Sequence, residues 1–281
     1  MSIAPSTTAL TETESSSLLK VALTACDGAK RILDDHFGNL RNVEEKFQAG
    51  LVSDADRESE KYIVNQIRAV YPDHAILGEE GGLSGVTGDQ GSGFLWMIDP
   101  LDGTTNFIHQ FPFFCISIGL EVRGELVLGV VDAPKLGMRF HAIKGQGAYL
   151  NGERLTVRPR QKFRDGLFAT GFSSSDDQLD LQLEIASTMI REARGIRRAG
   201  AAALDLCFVA QGVYDAFWER NLSAWDMAAG AVIARETGAL VTDMQGEKFD
   251  PRNGNILCAN PYMHADVLAL MNKVRARHQR H

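Results

Sequence analysis

The chain has 281 residues, 44% hydrophobic and 23% charged, which is the balance of an ordinary globular protein able to bury a large core. Its formal net charge of -7 disfavours nucleic acid or an anionic membrane surface as the main partner, because both reward basic patches. No stretch is long and apolar enough to span a membrane, and residues 1–16 lack a basic start and an apolar signal core, so a soluble cytoplasmic protein is expected.

Residues 1–16, rich in Ser, Thr and Glu, are expected to form a flexible tail. Helical spacing of Leu18, Val21, Ala22, Ala25, Ile32 and Leu33 predicts a helix over 17–36, and a second is predicted over 54–70. Strand-like runs follow at 75–78, 94–98, 114–122, 126–132, 137–142 and 147–150, with Gly or charged pairs at their turns. Residues 17–160 therefore suggest an α+β half in which helices cover a largely antiparallel sheet. Over 161–281 the pattern alternates: strand 167–170, helices 178–193 and 201–211, strand 213–218, helix 225–237, strands 239–242 and 255–259, and helix 261–275. That alternation predicts a C-terminal α/β layer, with the basic end from Lys273 to His281 expected to be mobile. Cys26, Cys115, Cys207 and Cys258 are scattered without zinc-ligand spacing, which predicts buried free thiols.

Met97-Ile98-Asp99-Pro100-Leu101-Asp102-Gly103-Thr104-Thr105-Asn106-Phe107 carries the most chemistry. Phe94 to Ile98 is a short buried-strand run, so Asp99 is expected at a strand end, with Pro100 fixing a turn. Asp99, Asp102 and the intervening Leu101 carbonyl form an oxygen set suited to a hard cation such as magnesium, which takes few protein carboxylates plus substrate phosphate oxygens. Gly103 permits close backbone approach, and Thr104-Thr105 would start a helix whose N–H groups face an anion. The bland alternative is an Asp-Gly turn with Asp102 or Thr104 as an ordinary helix cap.

Three further acids have the same double reading. Asp56 lies seven residues before Ile63 on the inward stripe of the second helix, and it also completes a capping box with Ser53. Glu79 follows the apolar run ending at Gly78, in a Gly-Glu-Glu-Gly-Gly segment that could equally be a solvated loop. Asp226 opens an Ala/Gly-rich helix built for close packing, where it either complements the positive helix end or closes a metal cluster from the opposite side.

Gly78-Glu79-Glu80, Asp99 to Phe107 and Trp225-Asp226, in this order and spacing, resemble the inositol monophosphatase family of metal-dependent, lithium-sensitive phosphatases. Leu51 to Asp56, Phe111-Pro112 with Ser117-Ile-Gly119, Arg198-Ala-Gly200-Ala-Ala202-Ala-Leu-Asp205 and Glu219 extend the likeness over residues 18 to 272. The resemblance implies a layered αβαβα sandwich and a homodimer. It also implies that Glu79, Asp99 and the Leu101 carbonyl hold one magnesium ion, that Asp99, Asp102 and Asp226 hold a second, and that Asp56 stands near a third. Manganese would substitute and lithium would inhibit. Thr104 with Glu79 would orient the attacking water, the Gly103 and Thr104 N–H groups would hold the phosphate, and Gly200, Ala202 and Glu219 would line the substrate. Lys46 resembles a basic loop residue before Asp56, at a spacing one residue shorter than in familiar members.

The expected activity is hydrolysis of a small phosphate monoester by direct water attack, with inositol 1-phosphate leading. Histidinol phosphate, fructose 1,6-bisphosphate and 3'-phosphoadenosine 5'-phosphate are the alternatives. A different class of reading is a binding or regulatory protein on the same fold, for which Arg191, Arg194, Arg197 and Arg198 could form a local patch; a solvated helix face or a dimer contact is the plainer account. Trp96, Trp218 and Trp225 are expected in packing, and His109 at a helix end or on the surface.

Overall fold

A computed structural model describes residues 10–40, 43–46, 50–88, 91–158, 160–173 and 177–279. The first elements are α1 (Glu12–His36), β1 (Val43–Lys46), β2 (Gly50–Ser53), α2 (Asp54–Val70), β3 (Ala75–Gly78), β4 (Gly82–Ser84) and β5 (Phe94–Asp102). Next come α3 (Thr104–Ile108), β6 (Cys115–Val122), β7 (Glu125–Ala133), β8 (Met138–Ile143), β9 (Gly147–Leu150) and β10 (Glu153–Arg154). The remainder is β11 (Leu167–Thr170), α4 (Leu179–Glu192), β12 (Gly195–Arg197), α5 (Ala202–Gln211), β13 (Ala216–Arg220), α6 (Ala224–Glu236), β14 (Leu240–Thr242), β15 (Asn255–Ala259) and α7 (His264–His278).

β1 and β2 form a separate hairpin, and the other strands make two sheets. The larger has the order β10-β9-β8-β7-β6-β5-β3-β4 and is antiparallel except where β3 lies parallel to β5. The smaller is mixed, ordered β12-β11-β13-β15-β14, with β11 parallel to both its neighbours.

Three apolar cores stack these pieces into five layers. Leu18, Ala22 and Leu33 of α1 and Ile63 and Ile67 of α2 pack on Trp96, Ile98, Ile118 and Val130 of the large sheet. On its other face, Met97, Val131 and Phe140 meet the small residues of α5 and α6, which also cover Phe217, Ile256 and Cys258 of the small sheet. Ile185 and Met189 of α4 and Val267 and Met271 of α7 close the far side against Phe168, Trp218 and Leu257. The result is the αβαβα sandwich, with α5 and α6 as the shared middle layer.

Strand alternation aims Asp99 and Glu219 into that middle layer. Trp96 and Ile98 face the α1–α2 core while Met97 faces α5 and α6, so Asp99 continues the Met97 side. On β13, Phe217 faces the same layer and Trp218 the opposite one, which puts Glu219 on the Phe217 side. α6 lies unusually close to the large sheet: a Cβ on Gly119 would stand 2.7 Å from Ala228 Cβ, and one on Gly129 would overlap the Ala229 carbonyl. Ser117 Oγ donates to Trp225 O at 3.0 Å, fixing the start of α6 over β6.

Several sequence expectations need correction. α1 begins at Glu12, because Thr11 and Glu14 form a capping box, so residues 12–16 belong to the helix instead of a tail. At the other end α7 runs through Lys273 to His278, held by ion pairs of Arg277 and His278 with Glu184. Asp99 is not at a strand end: β5 continues to Asp102, pairing Asp99 with Ser117 and Asp102 with Cys115 across a bulge that accommodates Pro100. The β1–β2 hairpin and strands β4, β10 and β12 are short and polar or Gly-containing, and their periodicity is correspondingly weak. Arg197 lies on β12 and Arg198 follows it, while Arg194 pairs with Asp165, so the arginine group does not share one helix face. The Lys46 side chain lies outside the described residues. Cys26, Cys115, Cys207 and Cys258 are all buried and free.

Candidate active site

β5, the start of α3, the loop before α5, the end of β13 and the first turn of α6 meet around one cavity of about 170 Å³. Glu79, Asp99, Leu101, Asp102 and Asp226 line one part of it, and Gly103, Thr104, Gly200, Ala202 and Glu219 line the rest. Asp56 stands beside this group: its Oδ1 accepts from the Thr104 hydroxyl at 3.1 Å. Residues up to 170 positions apart in sequence are therefore juxtaposed by the layering.

Each acid is held by its own local geometry. Asp56 Oδ2 accepts from Ser53 N at 2.8 Å and Ser53 Oγ at 2.6 Å, so the capping box exists and the second oxygen still turns toward Thr104. Asp99 Oδ1 accepts from Leu101 N at 2.9 Å, which braces the bulge. Asp102 is not the cap of the helix that follows it. Its oxygens accept from Ala202 N at 3.2 Å and Ala203 N at 2.7 Å, so it caps α5, a hundred positions away, and joins the two halves of the chain. Asp226 forms a capping box with Ser223, whose N–H donates to it at 2.7 Å, and it lies close enough to Asp99 for its charge to raise that carboxyl.

Gly103 has φ +94°, and an added Cβ would press on Phe113 O and Gly200 O at 3.1 and 3.2 Å. Backbone conformation and crowding thus both require glycine where α3 begins. Asn106 Nδ2 donates to Phe113 O at 2.7 Å and to Ala199 O at 2.8 Å, tying α3 to the segment that presents Gly200. The Glu219 carboxyl fills the space that a side chain at Gly171 would need.

The electrostatics are those of an acid cluster short of positive charge. Burial pushes Asp99 well above the usual carboxylate range, with Glu79, Asp102 and Asp226 adding to the rise. Asp102 is pushed up to about 6 and Asp226 to about 8, again chiefly by burial. Asp56 rises to about 6 and Glu219 to about 8 for the same reason, the latter opposed by the nearby Arg198.

Among the described residues, no three His, Cys, Asp or Glu side chains stand as a ready-made metal cage. Lone pairs of Asp99, Asp102 and Asp226 are engaged by backbone N–H groups. The donor set nonetheless fits a hard divalent cation: it is all oxygen, half-buried to buried, and its mutual repulsion is what a cation would relieve.

Four further residues stand at or beside the site; Arg198 and Asp205 are the two ends of a stretch that carries part of the family resemblance, while Ser59 and Glu60 lie outside its motifs. Arg198 lines the cavity and donates to Phe172 O at 3.1 Å, so its place is at the site and not on a solvated helix. Ser59 Oγ donates to Pro100 O at 3.2 Å, locking α2 to the motif strand. Glu60, one turn after Asp56, is buried and accepts from Glu80 N and Gly81 N. Asp205 is buried beside Glu219 and Asp102, and its Oδ1 has no hydrogen-bond partner among the described residues. Recurrence at i+4 on the inward stripe of α2 was the available signal for Glu60.

The family model of the inositol monophosphatases matches residues 14–276, nearly the whole chain. The chain belongs to the inositol monophosphatase family. It is 44% identical over 248 residues to the Nus factor SuhB of Pseudomonas aeruginosa, covering 86% of this chain and 91% of that protein. An inositol-1-monophosphatase of Rhizobium meliloti is 40% identical over 252 residues, covering 88% and 93%. The crystal structure of the extragenic suppressor protein suhB from Bartonella henselae superposes with a TM-score of 0.86 at 38% identity, covering 92% of this chain and 99% of that one. The family is one of metal-dependent phosphatases, and the five-layer fold is its fold. No helix among the described residues is long and apolar enough to cross a membrane.

Proposed function

We propose that this member of the family hydrolyses inositol 1-phosphate, with magnesium as the resident cation, by direct attack of water on phosphorus. The observation that carries the reading is the gathering of Glu79, Asp99, the Leu101 carbonyl, Asp102 and Asp226 around one cavity that also contains the Gly103–Thr104 turn. Glu79, Asp99 and Leu101 would hold one cation and Asp99, Asp102 and Asp226 another, with Asp56 near a third. Bound there, divalent cations supply positive charge to the phosphate, acidify a water and stabilise the departing alkoxide.

The chain's own groups complete the arrangement. Thr104 Oγ1 lies 3.1 Å from both Asp56 Oδ1 and Leu101 O, so its proton has an acceptor and its oxygen is left to accept from a water. Thr104 and Glu79 thereby orient the nucleophile. The N–H groups of Gly103 and Thr104 hold the phosphate oxygens at the start of α3. Gly200 and Ala202 leave room for a ring, and Glu219 accepts from its hydroxyls with Arg198 balancing the local charge. The same proposal includes manganese as a substitute cation, lithium as an inhibitor, a homodimer and a cytoplasmic location.

Parallel phosphate-release assays with magnesium test the substrate: inositol 1-phosphate should exceed histidinol phosphate, fructose 1,6-bisphosphate and 3'-phosphoadenosine 5'-phosphate in kcat/KM. A relative named a Nus factor favours a second reading, a binding or regulatory role on the same fold. Release from none of the four substrates would make that second reading the better one.

A further inference from the structure

Glu60 sits on α2 with its carboxylate inside the loop that follows β3. Oε2 accepts from Glu80 N at 2.8 Å and Oε1 from Gly81 N at 2.6 Å, one oxygen for each of two successive N–H groups. The loop begins with Glu79, whose own N–H donates to Ile98 O of β5 at 3.2 Å. The flanking glycines are shaped around the same carboxylate. A Cβ on Gly78 would stand 2.6 Å from Glu60 Oε2, and one on Gly81 would stand 2.9 Å from Oε1. Neither glycine has a positive φ, so what an added side chain would meet there is the Glu60 carboxylate, which it would have to displace, and not a left-handed backbone.

We propose that Glu60 is a positioning residue for the cation site: it clamps the 79–81 backbone so that Glu79 is presented to Asp99, Asp102 and Asp226. This inference rests on the function proposed above. It also accounts for the run Gly78-Glu79-Glu80-Gly81-Gly82, whose glycines at 78 and 81 make room for the clamp. A carboxylate is the group that suits the task, because both of its oxygens accept. Glutamine has the same shape but keeps a single acceptor and turns an amide N–H toward a backbone N–H. Groups that orient ligands from behind in this way typically influence metal affinity by about 10–100-fold.

Calorimetric titration of magnesium into substrate-free protein tests the proposal, with circular dichroism melts as the check on folding. Glu60→Gln should weaken magnesium binding about 10–100-fold while the melt stays cooperative and KM at saturating magnesium changes little. Gly78→Ala should weaken it similarly, and should add little when introduced into Glu60→Ala, where the opposing carboxylate is gone. If Glu60→Gln does not fold, Gly78→Ala and Gly81→Ala carry the same test, since each crowds the carboxylate without removing it. Wild-type affinity in the folded Glu60→Gln or alanine variants, or full additivity of Gly78→Ala with Glu60→Ala, overturns the inference alone. Absence of magnesium binding by the unaltered protein overturns the reading of the whole site as well.

Discussion

Gly119→Ala should lower turnover without touching any residue of the site. Gly119 lies on β6, paired with Met97, two positions along β5 from Asp99, and it faces α6. The new Cβ would stand 2.7 Å from Ala228 Cβ and 3.0 Å from Ala229 N. Carbon atoms in contact prefer separations of about 3.5–4.0 Å, so α6 must retreat by about 1 Å or the sheet must bend away. Ala228 is two residues beyond Asp226, and the displacement would be transmitted to that carboxylate. Overpacking of this kind costs about 1–3 kcal/mol, which corresponds to roughly 2–12 °C in Tm for a chain of this size. A 1 Å misplacement of a reacting group lowers the rate about 100-fold. The assay pairs magnesium-dependent phosphate release with a thermal melt, kcat being taken well below Tm. A folded variant with lowered Tm and unchanged kcat would refute the claim that the close approach of α6 sets the site.

The metal-free protein should lose stability as pH rises. Asp56 and Asp102 sit at about 6 and Asp226 and Glu219 at about 8, above unfolded carboxylates near about 4, so the folded state binds more protons in this window. Stability is fully present below about pH 4 from these groups and is lost through about pH 6 to 8; the Tm gain from added magnesium should be larger at about pH 8.5 than at about pH 5.5, and equal gains would contradict the account. Lithium should inhibit phosphate release in a millimolar-scale titration at fixed magnesium, and unchanged turnover would count against occupation of a cation position. Glu219→Gln should raise KM for inositol 1-phosphate about 10-fold through loss of a hydrogen-bond acceptor for the ring hydroxyls, with a smaller change in kcat; an unaltered KM would remove Glu219 from substrate contact.

Carboxylates beside apolar runs mark the candidate site in the sequence, although each also has a local account as a turn, cap or loop residue. Asp99 and Asp102 stand out on local grounds and Asp226 joins them through its place in the family resemblance; helical spacing and alternation give the elements of each half, while the five-layer arrangement follows from the resemblance. The local accounts proved compatible with the site: Asp56 and Asp226 each complete a capping box and still belong to the cluster. Asp102 shows the limit of local reasoning, since its partner is a helix start a hundred positions on, and no spacing rule reaches that far. Arg198 opens the stretch to Asp205 that carries part of the family resemblance, but local patterning groups it with Arg191, Arg194 and Arg197, and only the course of β12 separates it from them. Glu60 was hidden because an acid on an amphipathic helix usually faces solvent, and its role depends on a loop that α2 meets only after folding. The start of α1 was missed because its first turn carries no apolar stripe and is fixed instead by the Thr11–Glu14 box.

Calorimetric titration of magnesium into metal-stripped protein, compared with Asp99→Asn and Asp226→Asn, tests the central claim most directly. The unaltered chain should bind with saturable heat, and each variant should keep its fold while losing binding and about 100-fold or more of phosphate release. Equal magnesium affinity and equal turnover in all three proteins would contradict a shared cation site formed by acids from distant segments.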